Sequence, residues 1–181
     1  MFEFVLFCLP AAIYLFVQSR GENRTLAAAR LQLGLTWGSA NGYAWAGLLL
    51  FPLLFAGWLA IVAVPAEVVD APGVSVARLT SLGVALSVVL RAFGEEVLFR
   101  GLLGGVLSRR LGFQKGNLLQ SLVFVVPHLG ILLVDIRAWP VIPAQFAAAW
   151  ILGWLREKTG TFVPGALVHA AANVCAGLLL S

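Results

Sequence analysis

The chain has 181 residues, of which 61% are hydrophobic and 11% charged, with a formal net charge of +4. Soluble domains carry charge at about a quarter of their positions, so a mean hydropathy of +0.97 excludes an ordinary soluble fold. No basic patch with interleaved aromatics is present, so the positive balance speaks for loop charges that set membrane topology, not for nucleic-acid binding.

A membrane-crossing helix needs about 20 mostly apolar residues, and six stretches qualify. The expected fold is an all-α, polytopic helical bundle forming one transmembrane domain over residues 1–181, with one interfacial amphipathic helix. The first span covers residues 2–17. It has no basic leader and no small-residue cleavage site, which marks a retained helix and not a signal peptide. In residues 18–42, Leu26, Ala29, Leu33 and Trp37 set against Arg24, Arg30 and Gln32 describe an amphipathic helix on the membrane surface. The second span, residues 43–64, contains Pro52 as a kink. A polar turn over 65–73 carries Glu67 and Asp70.

The third helix is expected from Val76 to Ser108. At about 1.5 Å per residue it exceeds the ~30 Å hydrocarbon core, so it tilts or protrudes. After a loop with Arg109, Arg110 and Lys115, the fourth span (117–134) holds Pro127 and His128. Asp135 and Arg137 form a turn before the fifth span (139–155), and Arg156, Glu157 and Lys158 precede the sixth (162–180), which holds His169 and Asn173. Gly101 with Gly105, Gly34 with Gly38, and the run Ala147, Ala148, Ala149 read as close-packing surfaces. Trp37, Trp139 and Trp154 read as interface anchors. Cys8 and Cys175, in separate apolar runs, read as packing residues and not as a disulfide.

The loop charges alternate. Arg20, Arg24 and Arg30 follow the first span, Arg109, Arg110 and Lys115 the third, Arg156 and Lys158 the fifth. Glu67, Asp70 and Asp135 occupy the other loops, with Arg78 and Arg137 as their basic residues. Under the positive-inside rule this places both termini outside the cytoplasm. With no eukaryotic retention signal at the C-terminus, the expected location is a bacterial inner (cell) membrane.

Ionisable groups at bilayer depth are costly and by default mark a functional site. Glu95, Glu96 and Arg100 sit in a highly apolar run. Glu96 and Arg100, four apart, can pair on one helix face; Glu95 points about 100° away, within reach of Arg91. The chain's two histidines both fall inside predicted spans. Counted at ~1.5 Å per residue from the basic loops, the glutamates lie ~20 Å, His128 ~18 Å and His169 ~14 Å deep. Three helices thus bring polar groups to one level, which implies a shared water-filled cavity. Asn173 shares a helix face with His169, and Phe124 stands one turn before His128. Pro127 removes a backbone hydrogen bond and leaves a carbonyl free to line that cavity.

Glu95-Glu96-x-x-x-Arg100, Phe124-x-x-x-His128 and His169-x-x-x-Asn173 resemble, in order and spacing, the three motifs of the CPBP intramembrane proteases, which include the CAAX prenyl endoproteases and bacteriocin-processing or immunity proteins. The resemblance covers residues 79–180, the motif-bearing core. It implies an endopeptidase in which Glu95 is the base, His128 helps to hold the water, and His169 with Asn173 stabilises the oxyanion. Glu96 and Arg100 would be the supporting pair. The family has been described both as metalloproteases and as glutamate-type proteases. Glu95, His128 and His169 would make a zinc site with one open position, while the lack of HExxH and of further ligands favours a metal-free water.

The implied partners are the lipid bilayer and a peptide or protein substrate cleaved near its C-terminus or beside a membrane segment: a prenylated tail, a bacteriocin leader or a sorting tail. Two other readings stand beside this one. A non-catalytic immunity or scaffold protein on the same fold would keep its cellular activity without Glu95 or His128. A small proton-coupled transporter would use the buried carboxylates as a relay, although no inverted repeat is evident.

Overall fold

The computed structural model describes residues 2–20, 25–71 and 78–180. Arg24 and Val76, singled out above, lie outside these residues. All regular structure among the described residues is helical: α1 (Phe2–Ser19), α2 (Leu26–Leu33), α3 (Ala40–Ala63), α4 (Ala66–Val69), α5 (Leu82–Glu96), a π-helical segment (Val97–Gly104), α6 (Gly105–Leu111), α7 (Phe113–Val125), a 3₁₀ turn (Val126–Gly130), α8 (Ile131–Val134), a second 3₁₀ turn (Ile136–Ala138), α9 (Val141–Thr159) and α10 (Val163–Leu179). The protein is an integral membrane helical bundle. Four helical stretches, Phe2–Ser19, Ala40–Ala63, Phe113–Val134 and Ile136–Thr159, are long and apolar enough to cross a bilayer, and α10 is a shorter apolar helix. The stretch from α5 to α6 is unbroken helix that carries the buried charges. Leu133, Leu82 and Phe51 are 91%, 88% and 74% exposed, a surface suited to acyl chains and not to water.

α10 is the centre of the packing, with α5 on one side and α3 on the other, while α9 lies between α3 and α7. Leu53, Leu152, Leu155 and Val168 form the core where α3, α9 and α10 meet. Trp154 is partly buried and packs against this core, edge-on to Trp45 with centroids 5.5 Å apart. Trp37 and Trp139 are exposed as expected. α7 and α9 are joined by polar groups that the hydrophobic pattern passes over. Asn117 Nδ2 donates to the Trp150 carbonyl at 3.1 Å, and Gln120 Nε2 to the Ala149 carbonyl at 3.1 Å. Such interhelical bonds hold well where water is absent to compete.

α2 starts at Thr25, whose hydroxyl accepts from the Ala28 N–H, and ends at Gly34 in the left-handed region (φ 76°). Gly34 and Gly38 are turn residues, with φ 76° and 77°, as well as close-packing ones. Ala29 and Leu33 are buried beneath α2, whereas Leu26 is half exposed, as an interfacial helix requires. Gly101 and Gly105 do give close approach: a Cβ on either would lie 3.3 Å from the carbonyl oxygen of Leu33 or Gln32 respectively.

The alternating charges sort to the two ends of the bundle. At one end Arg109 Nη1 and Arg156 Nη2 both donate to the Gln32 carbonyl, at 3.0 and 3.1 Å. At the other, Arg137 bridges Glu67 and Asp135 at 2.8 Å each, and Arg78 pairs with Asp70. Hydrogen bonds from Arg137 hold the Asp135 carboxyl below the usual carboxylate range.

Candidate active site

Glu95 and Glu96 end α5, and both are buried (4% and 0% exposed). Directly after them the helix widens to π geometry over Val97–Gly104, a distortion that the four-residue spacing of Glu96 and Arg100 does not announce and that often accompanies functional sites. The pair forms nonetheless, with Arg100 Nη1 2.9 Å from Glu96 Oε1 and both side chains fully buried. It is an ion pair by distance, but the N–H bonds are not aimed at the carboxylate. The Arg100 guanidinium lies instead over the Phe124 ring, 4.3 Å from its centroid, where the ring's electron-rich face attracts a cation.

Phe124 is the hub of the site. Its ring centroid lies 4.8 Å from that of His128 and 6.2 Å from that of His169, so groups from three helices meet around one buried aromatic. The common depth expected from counting residues is therefore realised as contact.

His128 sits in the 3₁₀ turn that Pro127 opens at the end of α7. There the Val126 N–H takes the Val123 carbonyl, and the Phe124 carbonyl is bonded by the His128 imidazole through Nδ1 at 2.9 Å. The break at Pro127 thus turns a backbone acceptor over to a side chain, where the sequence suggested a bare carbonyl lining the cavity. Because a carbonyl only accepts, Nδ1 carries the hydrogen and Nε2 of the neutral ring keeps its lone pair.

His169 is fixed in the same way by a different partner. Its Nδ1 lies 2.9 Å from Glu96 Oε1, and its Nε2 lies 3.7 Å from Glu95 Oε2. Glu95 is therefore shared, since its other oxygen, Oε1, accepts from Arg91 Nε at 2.9 Å. Arg91 also approaches Glu3 of α1 at 3.8 Å. Glu3 was not singled out in the sequence, although it is the acidic residue of an otherwise apolar first span. The Glu96–His169 bond was not legible either, because no local spacing links residues 73 apart.

Glu95, His128, His169 and Asn173 all line one cavity of about 1210 Å³, whose remaining walls include Leu53, Trp58, Val88 and Leu178. The Asn173 side chain forms no hydrogen bond among the described residues, so its amide is open to a ligand. Among the described residues no three His, Cys, Asp or Glu side chains gather as a metal-binding group, and Glu95 Oε1 is already held by a guanidinium.

Comparison with known proteins bears on the same segment. Over 90 residues the chain is 26% identical to the UPF0177 protein YxdF of Lactococcus lactis subsp. lactis (strain IL1403), a match covering 49% of this chain and 45% of that protein. The chain thus aligns with less than half the length of this curated relative. No solved structure gives a significant match. Residues 77–175 match the family described as type II CAAX prenyl endopeptidase Rce1-like. That stretch is more than half of the chain and runs through the parts of α5, α7 and α10 that meet around Phe124. On this match the chain belongs to the Rce1-like family of type II CAAX prenyl endopeptidases.

Proposed function

We propose that the protein is an intramembrane endopeptidase that hydrolyses a peptide bond near the C-terminus, or in a membrane-adjacent segment, of a peptide or protein substrate. One observation carries the reading: a buried carboxylate oxygen of Glu95 and the outward nitrogen of His169 are 3.7 Å apart on the wall of a cavity that His128 and Asn173 share. Buried ionisable groups brought together from three helices at such cost are a site by default.

In this reading a water sits between Glu95 and His128. Glu95 removes one proton as the water oxygen attacks the scissile carbonyl, while the free Nε2 of His128 accepts a hydrogen bond from the O–H that remains and orients the lone pair. The developing oxyanion takes hydrogen bonds from the Asn173 amide and from His169. A protonated His169 ring donates at both nitrogens, through Nδ1 to Glu96 and through Nε2 to the oxyanion, with Glu96 as counter-charge. Glu95 then passes its proton to the leaving amine as the C–N bond breaks. No metal takes part in any step.

The cavity is walled on one side by Leu53, Leu54 and Trp58 of α3 and on the other by Val84 and Val88 of α5. These helices share no extended interface, since each packs on α10. A substrate tail, lipidated or otherwise apolar, enters laterally from the bilayer between them. The protein resides in a bacterial cell membrane with both termini on the non-cytoplasmic side, because the Arg109 and Arg156 end carries the basic loops.

The test compares, by mass, the C-terminal tails of candidate membrane and lipidated proteins in cells carrying wild type or Glu95→Gln. A tail shortened only by the wild type supports the proposal. Identical tails across the proteome of both strains overturn it.

A further inference from the structure

Arg100 walls not only the Glu95 cavity but also a smaller one of about 380 Å³ at the basic end of the bundle. Arg109 from α6 and Arg156 from α9 enter this pocket and point at the same acceptor, the Gln32 carbonyl, at 3.0 and 3.1 Å. Two guanidiniums on one carbonyl repel each other, and such a pair needs an anion. Among the described residues neither forms an ion pair with a carboxylate; Glu157, a lining residue, acts on Arg156 only through its charge.

Arg109 Nη2 also donates to the Tyr14 hydroxyl at 3.2 Å, so the open donor is on Arg156. Arg156 Nε is buried with no hydrogen-bond partner, and so is Oε1 of Gln120, a lining residue 1% exposed. Glycines make room for both guanidiniums: a Cβ on the lining residue Gly105 would lie 3.1 Å from Arg109 Nη1, and one on Gly34, outside the lining, 3.0 Å from Arg156 Nη2. At the mouth Leu31 is 65% exposed, an apolar contact beside a cationic hole.

We propose that this pocket binds one phosphate group, held by Arg109 and Arg156, and that the group belongs to an anionic phospholipid of the leaflet at the basic end. Guanidinium pairs match phosphate oxygens in geometry and charge, and basic pockets between membrane helices on the cytoplasmic side suit anionic headgroups. Gln120 Oε1 accepts from a headgroup hydroxyl, and Leu31 lies along the first part of an acyl chain. The site is independent of the hydrolytic reading, whose residues lie on the far side of Arg100.

The test uses the full chain in detergent micelles doped with phosphatidylglycerol, with phosphatidylcholine, or with inorganic phosphate and no lipid, read by native mass spectrometry and by the thermal unfolding midpoint. The expected result is one retained phosphatidylglycerol and a higher midpoint than in phosphatidylcholine. Arg109→Gln with Arg156→Gln weakens retention at least about tenfold, the loss of charge-assisted hydrogen bonds. Arg110→Gln, which removes the same charge next to the pocket, leaves it unchanged. Equal retention of the two lipids, or an equal loss in Arg110→Gln, overturns the site. Inorganic phosphate that alone raises the midpoint as far as the lipid does supports the phosphate pocket and overturns its assignment to lipid. If the double substitution unfolds the protein, the wild-type comparison of the two lipids still decides.

Discussion

Glu96 and His169 are joined at 2.9 Å by a hydrogen bond that ties the end of α5 to the middle of α10. The same carboxylate oxygen faces Arg100 at 2.9 Å, so one buried acid balances a buried cation and sets the orientation of an imidazole. That second duty separates Glu96 from an ordinary intrahelical pair. Its position next to Glu95 places a positioning group and the proposed base on one turn of helix.

Removing Glu96 alone is expected to be costly. Glu96→Ala leaves Arg100 charged and fully buried without its partner, a loss of about 3–5 kcal/mol, read as a lower unfolding midpoint in detergent. Changing both members, Glu96→Gln with Arg100→Gln, recovers much of that stability but not the activity, because His169 no longer has an anion behind it. Recovery of both would reduce Glu96 to a purely structural role.

Glu95→Gln separates chemistry from folding. Its partner Arg91 is 41% exposed, and an ion pair that open contributes at most about 1 kcal/mol. The folded protein persists while turnover falls by about 10²–10⁴-fold, the range for a lost general base. A midpoint within a few degrees of wild type and undetectable tail cleavage is the expected pair of results.

Pro127→Ala tests the break in α7. An alanine restores an N–H that in an α-helix takes the Val123 carbonyl, and the His128 N–H then takes the Phe124 carbonyl back into the backbone ladder. His128 then loses the acceptor that holds its ring at 2.9 Å. Stability should hold or rise, while activity drops about 10- to 100-fold through misplacement of the imidazole. Activity equal to wild type would show that the turn does not aim His128.

Chelation is expected to leave the activity intact. The purified protein should contain well under one equivalent of zinc by elemental analysis, and dialysis against a chelator should not slow tail cleavage. Loss of activity with rescue by added zinc would replace the water held by Glu95 and His128 with a metal-bound one.

Gly116 is a packing prediction outside the site. A Cβ there would lie 2.6 Å from the Ser108 backbone nitrogen and 2.8 Å from the Leu107 carbonyl carbon. Backbone cannot rotate away as a side chain can, so Gly116→Ala must push α6 and α7 apart at a cost of about 1–3 kcal/mol. Differential scanning fluorimetry in detergent reads it as a lower midpoint.

The membrane class, four of the six expected spans as long apolar helices, and the sorting of charge to two ends were legible in the chain itself. Hydropathy over ~20 residues is a property of consecutive side chains, and the loop charges need no folding to be counted. The motif residues were legible for a related reason: at bilayer depth an acid or an imidazole is expensive enough to stand out against its neighbours. Helix ends were less so. α5 begins at Leu82, and the π-helical widening behind Glu96 leaves no mark that a four-residue spacing can carry.

Partner choice was settled only by the fold. Sequence spacing paired Glu96 with Arg100 and Glu95 with Arg91, and both contacts form, because neighbours on one helix are fixed by its pitch. The bonds of Glu96 to His169 and of Arg109 and Arg156 to Gln32 join residues 73, 77 and 124 apart. Which helix faces meet depends on glycines that admit a backbone, on the buried amides of Asn117 and Gln120, and on the ring of Phe124. Those are facts of three-dimensional packing, and no local pattern encodes them.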